Sequence, residues 1–238
     1  MTTSMDDLPR QVALANRVLA NEGVLDAFGH VSARDPANPD RFFLSRSLAP
    51  ELVTPEDVLA FDLEAQPLSP TGAALYSERV IHAAIYRARR DVNAICHHHA
   101  PALLPFCLGD LRLRVVTQLG AVIGPQVPLW DQRTEFGATN HLVQTAAEAT
   151  SLARCLGQAS LVLMKRHGAT VVGRDIRELA FRAIYSCRDA DIQLRALAHG
   201  AIDVFTDEEI ALAAKFPEAS LARAWALWCG RLVPGQPA

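Results

Sequence analysis

The chain has 238 residues, half of them hydrophobic and 21% charged, with a formal net charge of -3. That balance excludes a disordered chain, and the length fits one α/β domain with a single core. The Lys and Arg residues are scattered, so no basic strip exists to displace counterions from nucleic acid, and no run of about 18 apolar residues is present to span a bilayer.

The start MTTSMDDLPRQ is acidic and lacks the order of a secretion signal. Asp6 or Asp7 caps a first helix with Pro9 in its first turn; Val12, Ala15, Val18 and Leu19 form its apolar face, and the helix is expected to end near Glu22, before Gly23. Short β-like stretches follow at His30–Arg34, Arg41–Ser45 and Val58–Leu63, separated by the turn-forming DPANPD and by Thr54-Pro55. Glu78–Arg89 has a helical apolar period, and Val92–Cys96 is a near-continuous apolar strand running into three histidines. A second helix and strand repeat the arrangement at Ala146–Leu156 and Ser160–Met164, with His167 and Gly168 at the strand's exit. Helices are expected at Arg177–Ala198, Asp207–Lys215 and Ala219–Trp228, and the tail 232–238 is expected to fray. Cys96, Cys107, Cys155, Cys187 and Cys229 are odd in number without CxxC spacing, which points to buried thiols in a cytoplasmic protein.

Residues two apart in a strand share a face, so His97 and His99 project together while His98 points away. One strand thereby supplies two imidazoles, and a catalytic zinc site usually takes three protein ligands and keeps a position open. His167 is the best third ligand, because the glycine after it lets backbone pass close to a site. The plainer reading of the three consecutive histidines is a polar strand end meeting solvent. His98 reads as structural or as a rim contact, and His30, His82, His141 and His199 stand in less constrained settings. Glu78 opens the helix that leads to the histidine strand. A carboxylate there commonly just offsets the helix dipole, but facing a metal it can move a proton or ligate the ion.

The segment ERVIHAAIYRARRDVNAICHHHAP from Glu78, the segment LMKRHGATVVG around His167 and the turn GHVSAR from Gly29 together resemble the class II aldolase and adducin family, over roughly Gln11 to Gly200. The resemblance implies a central β-sheet flanked by helices, a single domain over 1–238, and a C4 homotetramer with active sites between subunits. It makes His97, His99 and His167 the ligands of one divalent ion, Zn2+ or Mn2+, and Glu78 the catalytic carboxylate. Adducin-like members without activity lose the metal histidines, which this chain keeps.

Departures from the family's sugar-phosphate aldolases bear on the substrate. Where those carry small phosphate-gripping residues, this chain has Gly29-His30, Ser45-Arg46-Ser47 and Tyr76-Ser77, and Tyr76, Tyr86 and Tyr185 offer no obvious counterpart to the aldolase tyrosines. The stretch VPLWDQRTEFGATN, containing Trp130 and Phe136, resembles the branch of 3-hydroxy-2-methylpyridine-4,5-dicarboxylate decarboxylase and related hydroxy-aromatic acid decarboxylases. The expected activity is non-oxidative decarboxylation of a hydroxy-aromatic or keto acid through a metal-stabilised enolate. The alternatives are aldol cleavage of a hydroxy-carbonyl substrate and a non-catalytic adducin-like module. Arg46 suits a second substrate carboxylate through its paired donors, with Ser45, Ser47 and Tyr76 beside it, although a solvated loop charge explains an arginine equally well. His30 is a candidate hydrogen-bond donor or proton carrier, or a turn-stabilising side chain. Trp130 and Phe136 either wall an aromatic ring or simply pack.

Overall fold

The computed structural model describes residues 8–232, so the capping expected of Asp6 and Asp7 and the fraying expected of the tail lie outside the described residues, Leu232 excepted. Seven strands form one sheet: β1 (His30–Arg34), β2 (Arg41–Ser45), β3 (Val58–Asp62), β4 (Ala94–His98), β5 (Leu129–Trp130), β6 (Leu161–Met164) and β7 (Gly168–Gly173). Their order is β3-β2-β1-β4-β7-β6-β5, antiparallel throughout except for the β5–β6 pair. The helices are α1 (Leu8–Asn21), α2 (Arg79–Ala88), α3 (Arg133–Phe136), α4 (Ala146–Leu156), α5 (Ile176–Leu197), α6 (Asp207–Ala213) and α7 (Glu218–Gly230). None of the described helices is long and apolar enough to cross a membrane.

Alternation along the strands divides the core in two. Val31, Ala33, Cys96, Leu163, Ala169 and Val171 face the layer of α1, α5 and α7. Phe42, Leu44, Ile95, Val162, Met164 and Val172 face α2 and α4. This is the α/β sheet flanked by helices that the family resemblance implied. Local chemistry fixes the helix starts: Thr145 and Glu148 form a reciprocal capping box on α4, and Asp175 accepts the Glu178 N–H at 2.8 Å on α5.

Most element boundaries agree with the sequence to within two residues. The histidine strand is the informative difference, since β4 runs over Ala94–His98 and carries the first two histidines inside the sheet. A second difference is β7, which reverses the chain directly after His167 and pairs with both β6 and β4. His167 therefore sits in a tight hairpin turn, not at a free strand exit.

Candidate metal centre

The sheet places the histidines by register. His30 on β1 stands opposite His97 on β4, and His97 stands opposite Thr170 on β7, all on the face toward α2 and α4. His99 follows two residues after His97 on the same side. His167 is carried in by the β6–β7 hairpin, where Arg166 takes a left-handed φ of 61° and the His167 N–H donates to Met164 O at 3.0 Å. Gly168 must be glycine here: a Cβ would lie 2.3 Å from His98 O and 2.9 Å from the His99 ring.

Three imidazole nitrogens and one carboxylate oxygen converge. His99 Nε2 is 3.1 Å from both His97 Nε2 and His167 Nε2. Glu78 Oε2 is 3.4 Å from His97 Nε2 and 3.5 Å from His167 Nε2. Two ligands on a tetrahedral ion with bonds of about 2.0–2.1 Å stand about 3.3 Å apart, so the spacing fits a divalent cation. The donor set fits as well. His97 turns Nδ1 toward Ala169 O at 3.1 Å, and a proton donated there leaves the Nε2 lone pair for the cluster. Glu78 divides its carboxylate, with Oε1 accepting the Val143 N–H at 2.9 Å and Oε2 facing the histidines. Glu78, His97, His99 and His167 are thus the residues that could hold an ion.

Burial, and then the neighbouring His97 and His167, push the His99 ring down to about 4, which keeps it neutral and free to ligate. For Glu78 burial opposes ionisation, but His97 and His167 outweigh it and hold the carboxyl below the ordinary carboxylate range.

A cleft of about 480 Å³ opens beside the cluster, lined by His30, Ser47, Tyr76, Glu78 and His99 with the apolar Phe28 and Leu142. A larger cleft of about 800 Å³ between Arg112 and Ser160 is lined by neither histidine nor carboxylate.

Of the expected site residues, the fold brings His30, Ser47, Tyr76, Glu78, His97, His99 and His167 together. It separates three others. Arg46 donates through Nε to Asp57 Oδ1 at 2.7 Å and does not line the cleft. Ser45 is buried off the cleft. Trp130, expected at a substrate ring, is packed in the core beside α4 and donates through Nε1 to Ser151 Oγ at 2.9 Å. Phe136 packs at the edge of that same core. The reading of His30 and His82 as loosely constrained is corrected as well. His30 and His82 are tightly constrained, fully or almost fully buried, and bonded to each other at 2.7 Å. Of the two readings of His98 the structural one fits: it is buried, its Nδ1 accepting the Ala100 N–H at 3.3 Å. The sequence reading missed Phe28 and Leu142 on the cleft wall, because nothing local distinguishes a wall from any loop apolar residue.

Residues 10–194 match the model of the class II aldolase and adducin N-terminal domain. The chain belongs to that family. Within the class II aldolase and adducin family, decarboxylase tropJ of Talaromyces stipitatus is 33% identical over 242 residues, covering 92% of this chain and 91% of that protein. A 3,4-dihydroxyphthalate decarboxylase of Arthrobacter keyseri is 27% identical, covering 84% of this chain and 83% of its own. The solved structure of an L-fuculose 1-phosphate aldolase from Glaciozyma antarctica PI12 shares the fold with a TM-score of 0.79 at 24% identity, covering 97% of this chain and 91% of that one.

Proposed function

We propose that the protein is a carbon–carbon lyase of the carboxy-lyase kind, a metal-dependent decarboxylase of a hydroxy-aromatic or keto carboxylic acid. The observation that carries the reading is the cleft itself, where the three-histidine cluster meets His30, Tyr76 and an apolar wall, with Ser47 and Ser77 as its small donors. The named relatives that cover most of this chain include decarboxylases. Phe28, 69% exposed, and Leu142, 38% exposed, offer flat apolar surface for a ring.

His97, His99 and His167 would hold a divalent cation, which would supply Lewis acidity to a substrate oxygen next to the departing carboxylate. Glu78 rests ionised, so on a hydroxy-aromatic acid it takes the proton of the incoming hydroxyl and returns it to carbon once CO2 has left, whereas on a keto acid the proton that reaches carbon comes from solvent. The carbon–carboxylate bond breaks and a carbon–hydrogen bond forms; with a hydroxy-aromatic acid the product oxygen takes a solvent proton on release. Tyr76 holds the Leu48 backbone at both its N–H and its carbonyl, which fixes the wall that bears Ser47. The reading leaves Arg46 and Trp130 outside the substrate contacts and includes a homotetramer whose sites open toward a neighbouring subunit.

The test is a CO2-release screen over ortho-hydroxy aromatic acids and 3-keto acids, with Mn2+ and Zn2+ supplied separately. Metal-dependent CO2 release from at least one member supports the reading. Efficient cleavage of a phosphorylated ketose, with no CO2 from any acid, replaces it with aldol cleavage.

A further inference from the structure

His30 and three groups behind it hydrogen-bond in line into the core. His30 Nδ1 is 2.7 Å from His82 Nε2, His82 Nδ1 is 2.6 Å from Ser32 Oγ, and Ser32 Oγ is 2.8 Å from Tyr86 Oη. Ser32, His82 and Tyr86 are fully buried, and His30 reaches the cleft with only 2% exposure. β1 supplies His30 and Ser32 from one face, and α2 supplies His82 and Tyr86 four residues apart on one side.

The protons in such a line have few arrangements. Tyr86 carries one hydroxyl proton, and burial raises its phenol well above the ordinary phenol value, so it keeps that proton. Among the described residues its hydroxyl bonds to Ser32 Oγ. The Tyr86 proton is therefore donated to Ser32, and the Ser32 proton has His82 Nδ1 as its acceptor. His82, neutral because burial pushes it down to about 3, then carries its proton on Nε2 and donates it to His30 Nδ1. The reverse order strands a hydroxyl proton in the core with no acceptor, at the cost of a buried unsatisfied donor.

We infer that His82 and Ser32 are positioning residues that fix His30 as the Nε2–H tautomer, a permanent N–H donor toward the cleft. A group so fixed recognises an oxygen that accepts, such as a carboxylate or phenolate, and cannot take the proton of a substrate hydroxyl. Proton transfer is thereby left to Glu78. The use of this N–H on a substrate oxygen rests on the decarboxylase reading; the tautomer does not, and its test requires no turnover.

The test is 15N NMR of zinc-loaded protein labelled at the histidine imidazoles, which separates protonated from unprotonated ring nitrogens. In the parent, His30 is expected with Nε2 protonated and Nδ1 unprotonated. Tyr86→Phe should leave that pattern intact, because the Ser32 proton still has only His82 to accept it. Ser32→Ala should move both His30 nitrogens toward averaged values, since a methyl, or a water in the hydroxyl's place, imposes no direction. A melting temperature for each variant establishes that it is folded, and His82→Leu, which cuts the line at its other link, serves if Ser32→Ala does not fold. A parent His30 protonated on Nδ1, or a His30 pattern unchanged in the variant that breaks the line, overturns the inference.

Discussion

The two oxygens of Glu78 do different work. Oε1 is fixed by the Val143 N–H, while Oε2 faces His97 and His167. Glu78→Gln keeps an oxygen for the Val143 amide but cannot carry a proton, so bound metal should be largely retained while kcat falls by about a hundredfold or more. Loss of the metal in that variant would instead make Glu78 primarily a ligand. Arg46 stands in contrast. Its side chain is 42% exposed and paired with Asp57, and Arg46→Ala should change kcat/KM by less than about threefold, as for other surface pairs. A selective loss on substrates with a second carboxylate would return Arg46 to the site.

The β6–β7 hairpin is the element on which the cluster depends, because it brings His167 to a strand pair 68 residues earlier in the chain. Gly168→Ala pushes a methyl against the His98 carbonyl and the His99 ring. It should destabilise the fold by about 1–3 kcal/mol and weaken metal binding, read from urea midpoints and zinc titration; an unchanged protein would mean that the hairpin has slack. The hairpin also marks where the sequence stopped being legible. Strands β1 and β2 announce themselves as β-like stretches bounded by turn segments and helix α4 through its helical period, and period two alone paired His97 with His99. The turn into β7 gives no such signal, since Arg166, not glycine or asparagine, takes the left-handed position. His82 was hidden for a different reason. A histidine on an amphipathic helix reads as polar surface, and its partners His30 and Ser32 lie 52 and 50 residues away. Trp130 and Arg46 likewise read as free for a substrate until Ser151 and Asp57 are seen beside them.

At the scale of the molecule, buried neutral histidines tie stability to pH. His82 and His98 are each pushed down to about 3 by burial first and by His97 next, against about 6.5 in an unfolded chain. A histidine depressed on folding contributes no penalty above pH 6.5. As pH falls below that value the unfolded chain takes up protons that the folded one refuses, costing about 1.4 kcal/mol per pH unit for each group until the folded pKa is reached. Metal-free protein in EDTA should therefore lose stability steadily from pH 6.5 to 5, before carboxylates begin to titrate, and a flat urea midpoint over that range would contradict the buried neutral state. Leu108, 61% exposed, and Leu111 offer apolar surface for the tetramer proposed above; light scattering should give four chains, and a stable active monomer would contradict a shared site. The account turns on the ion, and it is tested most directly by metal analysis of untagged protein and of its His97→Ala and His99→Ala variants, with CO2 release assayed on the same samples. About one divalent ion per chain in the parent, with both metal and turnover lost in each variant, is the expected result. A parent that turns over without bound metal, or a variant that retains full activity, would contradict it.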